Sequence, residues 1–210
     1  MANFAIRGLG INSSIPSIDP SVGLFVDGVY MGINAGTVLD MLDVERVEIL
    51  RGPQGVAFGR NTTGGAVLVG TADPQEQFGG SARLSLEGPV DGGRGGPTVS
   101  ARAMVTGPLG GGFSVRLAAL HSDDAGYFRN QFDGRKLGGA ETNVVRGGLA
   151  YRGEALTVIA KGEWSSSEGD GAPSHNNGLF GRDSFAISVN QRGFHDSEGG
   201  FASLDRKSVV

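Results

Sequence analysis

The sequence predicts an α+β domain over residues 1–74 followed, over 75–210, by antiparallel transmembrane β-barrel strands that amount to an incomplete barrel. Three observations predict it. Glycine supplies 38 of 210 residues with no collagen-like period, which marks an ordered but turn-rich chain. From Gly79 onward, segments of about ten residues alternate apolar and polar side chains, the period of strands with two different faces. The connections between these segments alternate between tight and long, as in barrels with short turns on one side of a membrane and long loops on the other.

Composition excludes several alternatives. The 18 basic and 22 acidic residues are interspersed and leave a formal charge of -4, so there is no basic footprint for a nucleic acid. Cysteine is absent, which removes disulfides and thiolate metal sites. The longest stretch without Asp, Glu, Lys or Arg, Ala103 to Val115, contains glycines and a proline and falls short of the ~20 apolar residues of a spanning helix. A membrane crossing must therefore use strands. Met1 is followed by Asn3 and Arg7 rather than by an apolar run, so no signal peptide is read there.

In the first part, Leu24-Phe25-Val26 and Val29-Tyr30-Met31 flank Asp27-Gly28, a dipeptide suited to the positive φ of a type I′ hairpin turn. Val38, Leu39, Met41 and Leu42 cluster as on a short helix between Gly36 and Asp43, with Thr37 as its cap. Val44 to Leu50 reads as a strand, and Arg51-Gly52-Pro53-Gln54-Gly55 as a turn. Thr71-Ala72-Asp73-Pro74 closes the last apolar run and sets the boundary.

Five two-faced strands follow. Ala82, Leu84 and Leu86 alternate with Ser81, Arg83, Ser85 and Glu87, and Val99, Ala101, Ala103 and Val105 with Ser100 and Arg102. Val115, Leu117 and Ala119 stand against Ser114 and Arg116, and Val145, Leu149 and Tyr151 against Arg146. Leu156, Val158, Ala160 and Trp164 stand against Thr157, Lys161 and Glu163. Each strand keeps its charges on one face. Gly107 to Gly112 and Arg152 to Glu154 are the tight turns, whereas Gly88 to Pro97, Asp123 to Asn143 and the stretch after Ser165 are outer loops. Phe185 to Val189 is expected to open a sixth strand, and Leu204 to Val210 to depart from the strand pattern as an artificial or truncated end.

Alternation also suits a soluble sandwich, whose charged face meets water and whose apolar face meets a second sheet. The small residues of the apolar faces, the aromatics near strand ends and the alternating loop lengths favour the barrel. In lipid only closure removes the sheet edges, and five strands cannot close, so the chain is expected to be incomplete. A soluble secreted carbohydrate-binding or hydrolytic module, or a non-transporting outer-membrane protein, remains the alternative.

Asp43-Val44-Glu45-Arg46-Val47-Glu48-Ile49-Leu50-Arg51-Gly52-Pro53-Gln54-Gly55, continued by Phe58-Gly59-Arg60-Asn61-Thr62-Thr63-Gly64-Gly65-Ala66-Val67, closely resembles the plug signature of TonB-dependent outer-membrane receptors. Asn3-Phe4-Ala5-Ile6-Arg7-Gly8 and Val22-Gly23-Leu24-Phe25-Val26-Asp27-Gly28-Val29-Tyr30 precede it in the family's order. The signature positions are Arg7, Gly8, Asp27, Gly28, Glu45, Arg46, Glu48, Arg51, Gly52, Pro53, Gly55, Gly59, Arg60, Gly64 and Gly65. Val56-Ala57 and Leu68-Val69-Gly70 depart from the family pattern, the latter in a way expected to loosen that plug strand.

The resemblance implies a plug inside a barrel of about 22 strands. It also implies a gated carrier rather than an enzyme, bacterial outer-membrane localisation, and lipid and TonB as partners, the latter through an N-terminal box without counterpart here. The implied cargo is an iron-siderophore or another small nutrient ligand, and no cofactor is expected. Arg83, Glu87, Arg102, Arg116, Arg146, Lys161 and Glu163 are the lumen-facing candidates. A plug in a polar lumen needs charged partners, so Arg46, Glu48, Arg51 and Arg60 are expected to pair with Arg83, Arg102, Glu87 and Glu163, either as ordinary fold stabilisation, the commoner role for any one residue, or as a releasable latch.

Other chemistry finds no support. The glycines around Gly64 lack the Lys-Ser/Thr that completes a phosphate-binding loop. His121, His175 and His195 follow no ligand spacing, and no catalytic triad or carboxylate pair has spacing support. Asp123, Asp124, Asp133 and Asp170 read as solvated loop charge or as groups that touch cargo.

Overall fold

The computed structural model describes residues 4–10, 20–32, 42–88, 96–171, 178–181, 184–191 and 193–208. The first part holds β1 (Val22–Val26), β2 (Val29–Tyr30), β3 (Val44–Arg51), the single-turn helix α1 (Gly55–Phe58) and β4 (Gly65–Thr71). The rest holds β5 (Gly79–Glu87), β6 (Thr98–Gly110), β7 (Phe113–Asp124), β8 (Phe128–Asn130), β9 (Lys136–Leu137), β10 (Ala140–Arg152), β11 (Leu156–Gly169), β12 (Ala186–Ile187) and β13 (His195–Ser208).

The first four strands make a sheet in the order β2-β1-β4-β3. β1 and β2 form the expected hairpin, with φ 47° at Asp27 and 81° at Gly28, the positive values a type I′ turn requires. β1 lies parallel to β4 and is buried at every position, as its unbroken apolar run demands. Val22, Leu24, Val26, Val67 and Val69 make the core, and Phe201 of β13 packs against it from the other sheet. β4 pairs with β1 over Gly65–Val69 and with β3 over Gly65–Thr71, so Leu68 and Val69 are held on both sides, while the one register shift lies between Val44 and Arg46, opposite Thr71 and Gly70. Gly65 shows why a glycine stands there: its φ is 145°, and a Cβ would strike the Leu50 carbonyl oxygen of the facing strand. α1 occupies part of the connection read as a turn. The helix expected over Gly36 to Asp43 lies outside the described residues except for Leu42 and Asp43, which form a turn.

The second sheet has six strands in the order β13-β11-β10-β7-β6-β5, each antiparallel to its neighbour. The five anticipated strands are all present, but the sixth is placed differently. Phe185 to Val189 contributes only β12, which pairs with β8 in a separate three-stranded sheet. The sixth wall strand is β13, and it runs in unbroken register with β11 from Gly169↔His195 to Leu156↔Ser208. Leu204 to Ser208 thus continues the strand pattern, contrary to expectation. Gly199 and Gly200 present no side chains where the alternation would be read, which hides this strand. β6 also extends through Gly107 and Pro108 to Gly110, with a register shift at Pro108/Gly110 that tolerates the proline.

Candidate functional site: the interface between small sheet and wall

The wall has an inner and an outer face, set by strand periodicity. Facing the small sheet are Thr106, Ser114, Arg116, Ala118, Leu120, Val144, Arg146, Ala150, Ile159, Ser165 and Ser167, all buried. Leu84, Leu86, Val99, Val105, Leu117, Val145, Leu149, Trp164 and Leu204 lie exposed on the opposite face. Large apolar side chains thus point away from the protein while charged ones are enclosed, the reverse of a water-soluble sheet.

The outer apolar run is slanted against the hydrogen-bonded register. It covers Ala82–Leu86 on β5, Val99–Val105 on β6, Phe113–Ala119 on β7, Val145–Tyr151 on β10 and Leu156–Trp164 on β11. Followed through the paired residues, its centre shifts by about six residues over four strand steps. With about 3.4 Å per residue and about 4.8 Å between strands, that is a slope of roughly 45°. At the turn end of the band the rings of Phe113 and Tyr151 pack 4.9 Å apart.

Two ionic clasps join the small sheet to the wall. In the first, Arg116 of β7 grips Asp43, which immediately precedes β3, through Nε to Oδ2 at 2.6 Å and Nη2 to Oδ1 at 2.5 Å. Both side chains are about nine-tenths buried, with 8% and 9% exposure. Arg146 of β10 donates to the carbonyl of the preceding Leu42 and to the carboxylate of Glu163, its cross-strand partner on β11. Leu42 itself is buried against Ala118, Leu120 and Val144, so one dipeptide is held by an apolar socket, a carbonyl bond and a carboxylate pair.

The second clasp centres on Lys161 of β11. Its ammonium donates to the Thr71 carbonyl at 2.7 Å and hydroxyl at 3.1 Å, and it pairs with Asp73 at 2.7 Å and Asp27 at 3.4 Å. Asp27 in turn accepts from the Thr71 amide at 2.9 Å and hydroxyl at 2.6 Å. One lysine therefore ties together the β1–β2 turn, the end of β4 and the connection to β5. Nearby, Gln75 N donates to Thr106 Oγ1 at 3.0 Å, and Pro74 is buried against Gly148, where an added Cβ would come within 3.1 Å of the ring. All the clasped residues lie at the same end of the small sheet, because β1 and β4 finish there and β3 begins there.

The expected latch is therefore corrected. Arg46 pairs with Glu48 on its own strand at 2.9 Å, and both are exposed. Arg51 and Arg60 are exposed as well. Glu163 pairs with Arg146 of the neighbouring wall strand. It is the carboxylates of the small sheet that meet the cations of the wall. Of the lumen candidates, Arg116, Arg146, Lys161 and Glu163 converge on the clasps. Arg83 and Arg102 face each other across β5 and β6 beside a cleft of ≈ 270 Å³ that Asp43 also lines, and Glu87 is exposed at the far end of β5.

The remaining signature positions shape the backbone. Arg7 and Gly8 form a two-residue turn with φ 53° and 78°, closed by reciprocal Ile6 and Leu9 bonds at 2.9 Å. Gly52 N donates to Gly64 O at 3.2 Å, and Gln54 N, next to Pro53, to Thr62 O at 2.9 Å, extending the β3–β4 pairing. Gly55 opens α1, and Gly59 closes it with an amide bond to the Gly55 carbonyl at 3.0 Å. Glu45 is exposed on β3. Among the described residues no group of three or more His, Asp or Glu side chains forms a metal site.

Comparison with known proteins agrees with this construction. Residues 1–66 match the family model described as TonB-dependent Receptor Plug Domain. The pesticin receptor of Yersinia pestis is 38% identical over 65 residues, covering 31% of this chain and 10% of that protein. The iron-regulated outer membrane virulence protein of Vibrio cholerae is 30% identical over 120 residues, covering 55% of this chain and 18% of that protein. The chain thus spans a fifth or less of the length of these relatives. Among solved structures, the ferric yersiniabactin uptake receptor FyuA of Yersinia pestis superposes with a TM-score of 0.74 at 20% identity, over 91% of this chain and 30% of that one. The siderophore receptor PirA of Pseudomonas aeruginosa gives 0.57 at 23% identity, over 71% and 26%. These structural likenesses establish the fold.

Proposed function

We propose that the chain belongs to the TonB-dependent outer-membrane receptors, a reading supported by the plug-domain match over residues 1–66, and that it forms part of a transporter that moves a scarce ligand inward when its plug is displaced. In this reading residues 1–74 are the C-terminal part of the plug and 75–210 the first strands of the barrel. The cargo is an iron-siderophore, a choice supported by the names of the relatives rather than by a residue of this chain. TonB is the partner that delivers energy, the outer membrane is the location, and no reaction is catalysed.

The observation that carries the proposal is the slanted apolar band. Strands that cross a bilayer in a closed barrel tilt by 35–45°, so the zone facing hydrocarbon must cut diagonally across the hydrogen-bonded rows. A slope of about 45° supports that geometry. The enclosed clasps supply the other half: a plug that must move needs bonds that hold it at rest and can be exchanged for water once it is pulled.

The test is uptake of radiolabelled ferric siderophores by cells carrying the full-length receptor, cells lacking it, and cells lacking TonB. The proposal expects accumulation of at least one ferric chelate that is lost in both deletions. Identical accumulation in all three across a panel of catecholate, hydroxamate and mixed chelates would overturn the iron reading.

A further inference from the structure

The third sheet joins two connections that are remote in sequence. β8 and β9 belong to the connection after β7, and β12 to the one after β11. β8 and β12 pair in parallel, through Arg129 N to Phe185 O at 2.9 Å and Gln131 N to Ile187 O at 2.7 Å. Between those two bonds sits Asn130, only 2% exposed. Its side chain extends the pairing as a backbone unit would: Nδ2 donates to Val189 O at 2.9 Å, and Oδ1 accepts from Val189 N at 3.0 Å. The same Oδ1 accepts from Phe132 N at 3.3 Å, shaping the β8–β9 turn. Ile187 and Leu137 are buried beneath, and the rings of Phe128 and Phe185 pack 5.7 Å apart.

We propose that Asn130 is the tie that makes these two outer connections a single folded body, so that displacement of either is shared by the other. A parallel pairing two residues long is too short to hold by itself, because each end leaves unpaired groups. The carboxamide supplies what is missing. It carries a donor and an acceptor on one planar group, and both are used on one residue of the opposite connection. Aspartate lacks the donor and sets a charge against the Val189 carbonyl. Leucine fills the space and leaves both Val189 groups unpaired in a buried place, the costly outcome. If the transport reading holds, ligand contact with one connection is felt in the other, and this consequence rests on that reading. The tie itself does not.

Hydrogen exchange on the full-length receptor in detergent tests it without any ligand. Asn130→Leu perturbs the first connection and Ile187→Ala the second, with Asn130→Asp as a milder companion should the leucine variant fail to assemble. Each variant is expected to lower protection at least tenfold in both 128–137 and 184–189, with amides of β10 and β11 unchanged. Loosening confined to the connection that carries the substitution, or no change in either, overturns the proposal.

Discussion

Replacing Asp43 with asparagine removes one charge and almost no volume from the first clasp. The Arg116 guanidinium then stays enclosed, with its Nε and Nη2 facing an amide that can satisfy only one of them. Removing one partner of a buried pair costs about 3–5 kcal/mol, because the surviving charge keeps its desolvation penalty and loses its compensation. Both side chains are about nine-tenths enclosed, so solvent screening recovers little of this. The seating of the small sheet against the wall should weaken by a factor of about 10²–10⁴. Native-state hydrogen exchange of the full-length receptor in detergent reads this directly, as lost protection in β3 and β4 while β10 and β11 keep theirs. The double variant Asp43→Asn with Arg116→Met should regain most of the loss, since no charge is left stranded. A change below threefold in the single variant, or no recovery in the double, would refute the assignment of Asp43 and Arg116 as a seating clasp.

Lys161→Met, which keeps the stem and removes four polar contacts, should cost about 2–3 kcal/mol and raise exchange at Thr71 and Asp73 before it does so in β1. Gly65→Ala forces a Cβ into the Leu50 carbonyl at φ 145° and should cost at least about 3 kcal/mol, seen as rapid tryptic cleavage after Arg46 and Arg51 with the wall intact. Leu117→Arg, on the outer face near the middle of the band, should lower the stability of the receptor folded into lipid vesicles by about 2–4 kcal/mol, whereas Asp123→Arg, beyond the band, should change it by less than about 1 kcal/mol. Denaturant titrations of the vesicle-bound receptor separate these two outcomes.

What could be read from the amino acids followed the strength of the local signal. The Asp27-Gly28 hairpin and five wall strands carry dense, unambiguous patterns, and the structure reproduces them. β13 escaped because its middle is Gly199-Gly200 and because Glu198 and Arg206 fall on its outer face near the ends, which blurs the alternation. α1 is a single turn without a side-chain cap and offers no period to detect. The clasps were half legible. Arg116, Arg146 and Lys161 stand out as inward cations, but the pattern points to no partner for them, and the charges it assigns to the latch, Arg46, Glu48, Arg51 and Arg60, pair locally or are exposed. Asp27 and Asp73 read as residues of a turn and a boundary, and Asp43 as the end of a short helix, roles that mask their charge. The inward faces of β7, β10 and β11 carry four cations, Arg116, Arg146, Arg152 and Lys161, against two carboxylates, Asp124 and Glu163, and such an excess demands acidic groups from whatever fills the interior.

The account stands on which face of the wall meets lipid. These 210 residues hold no cysteine, so single cysteines carrying a nitroxide can be placed one at a time along the wall strands, in a full-length receptor with any cysteine elsewhere replaced, and reconstituted in bilayers. Oxygen accessibility should be high at Leu117, Val145, Leu149 and Ala160 and low at their chain neighbours Ala118, Val144, Ala150 and Ile159. Equal accessibility at neighbouring positions, or oxygen contact on the face that holds Arg116 and Arg146, contradicts it.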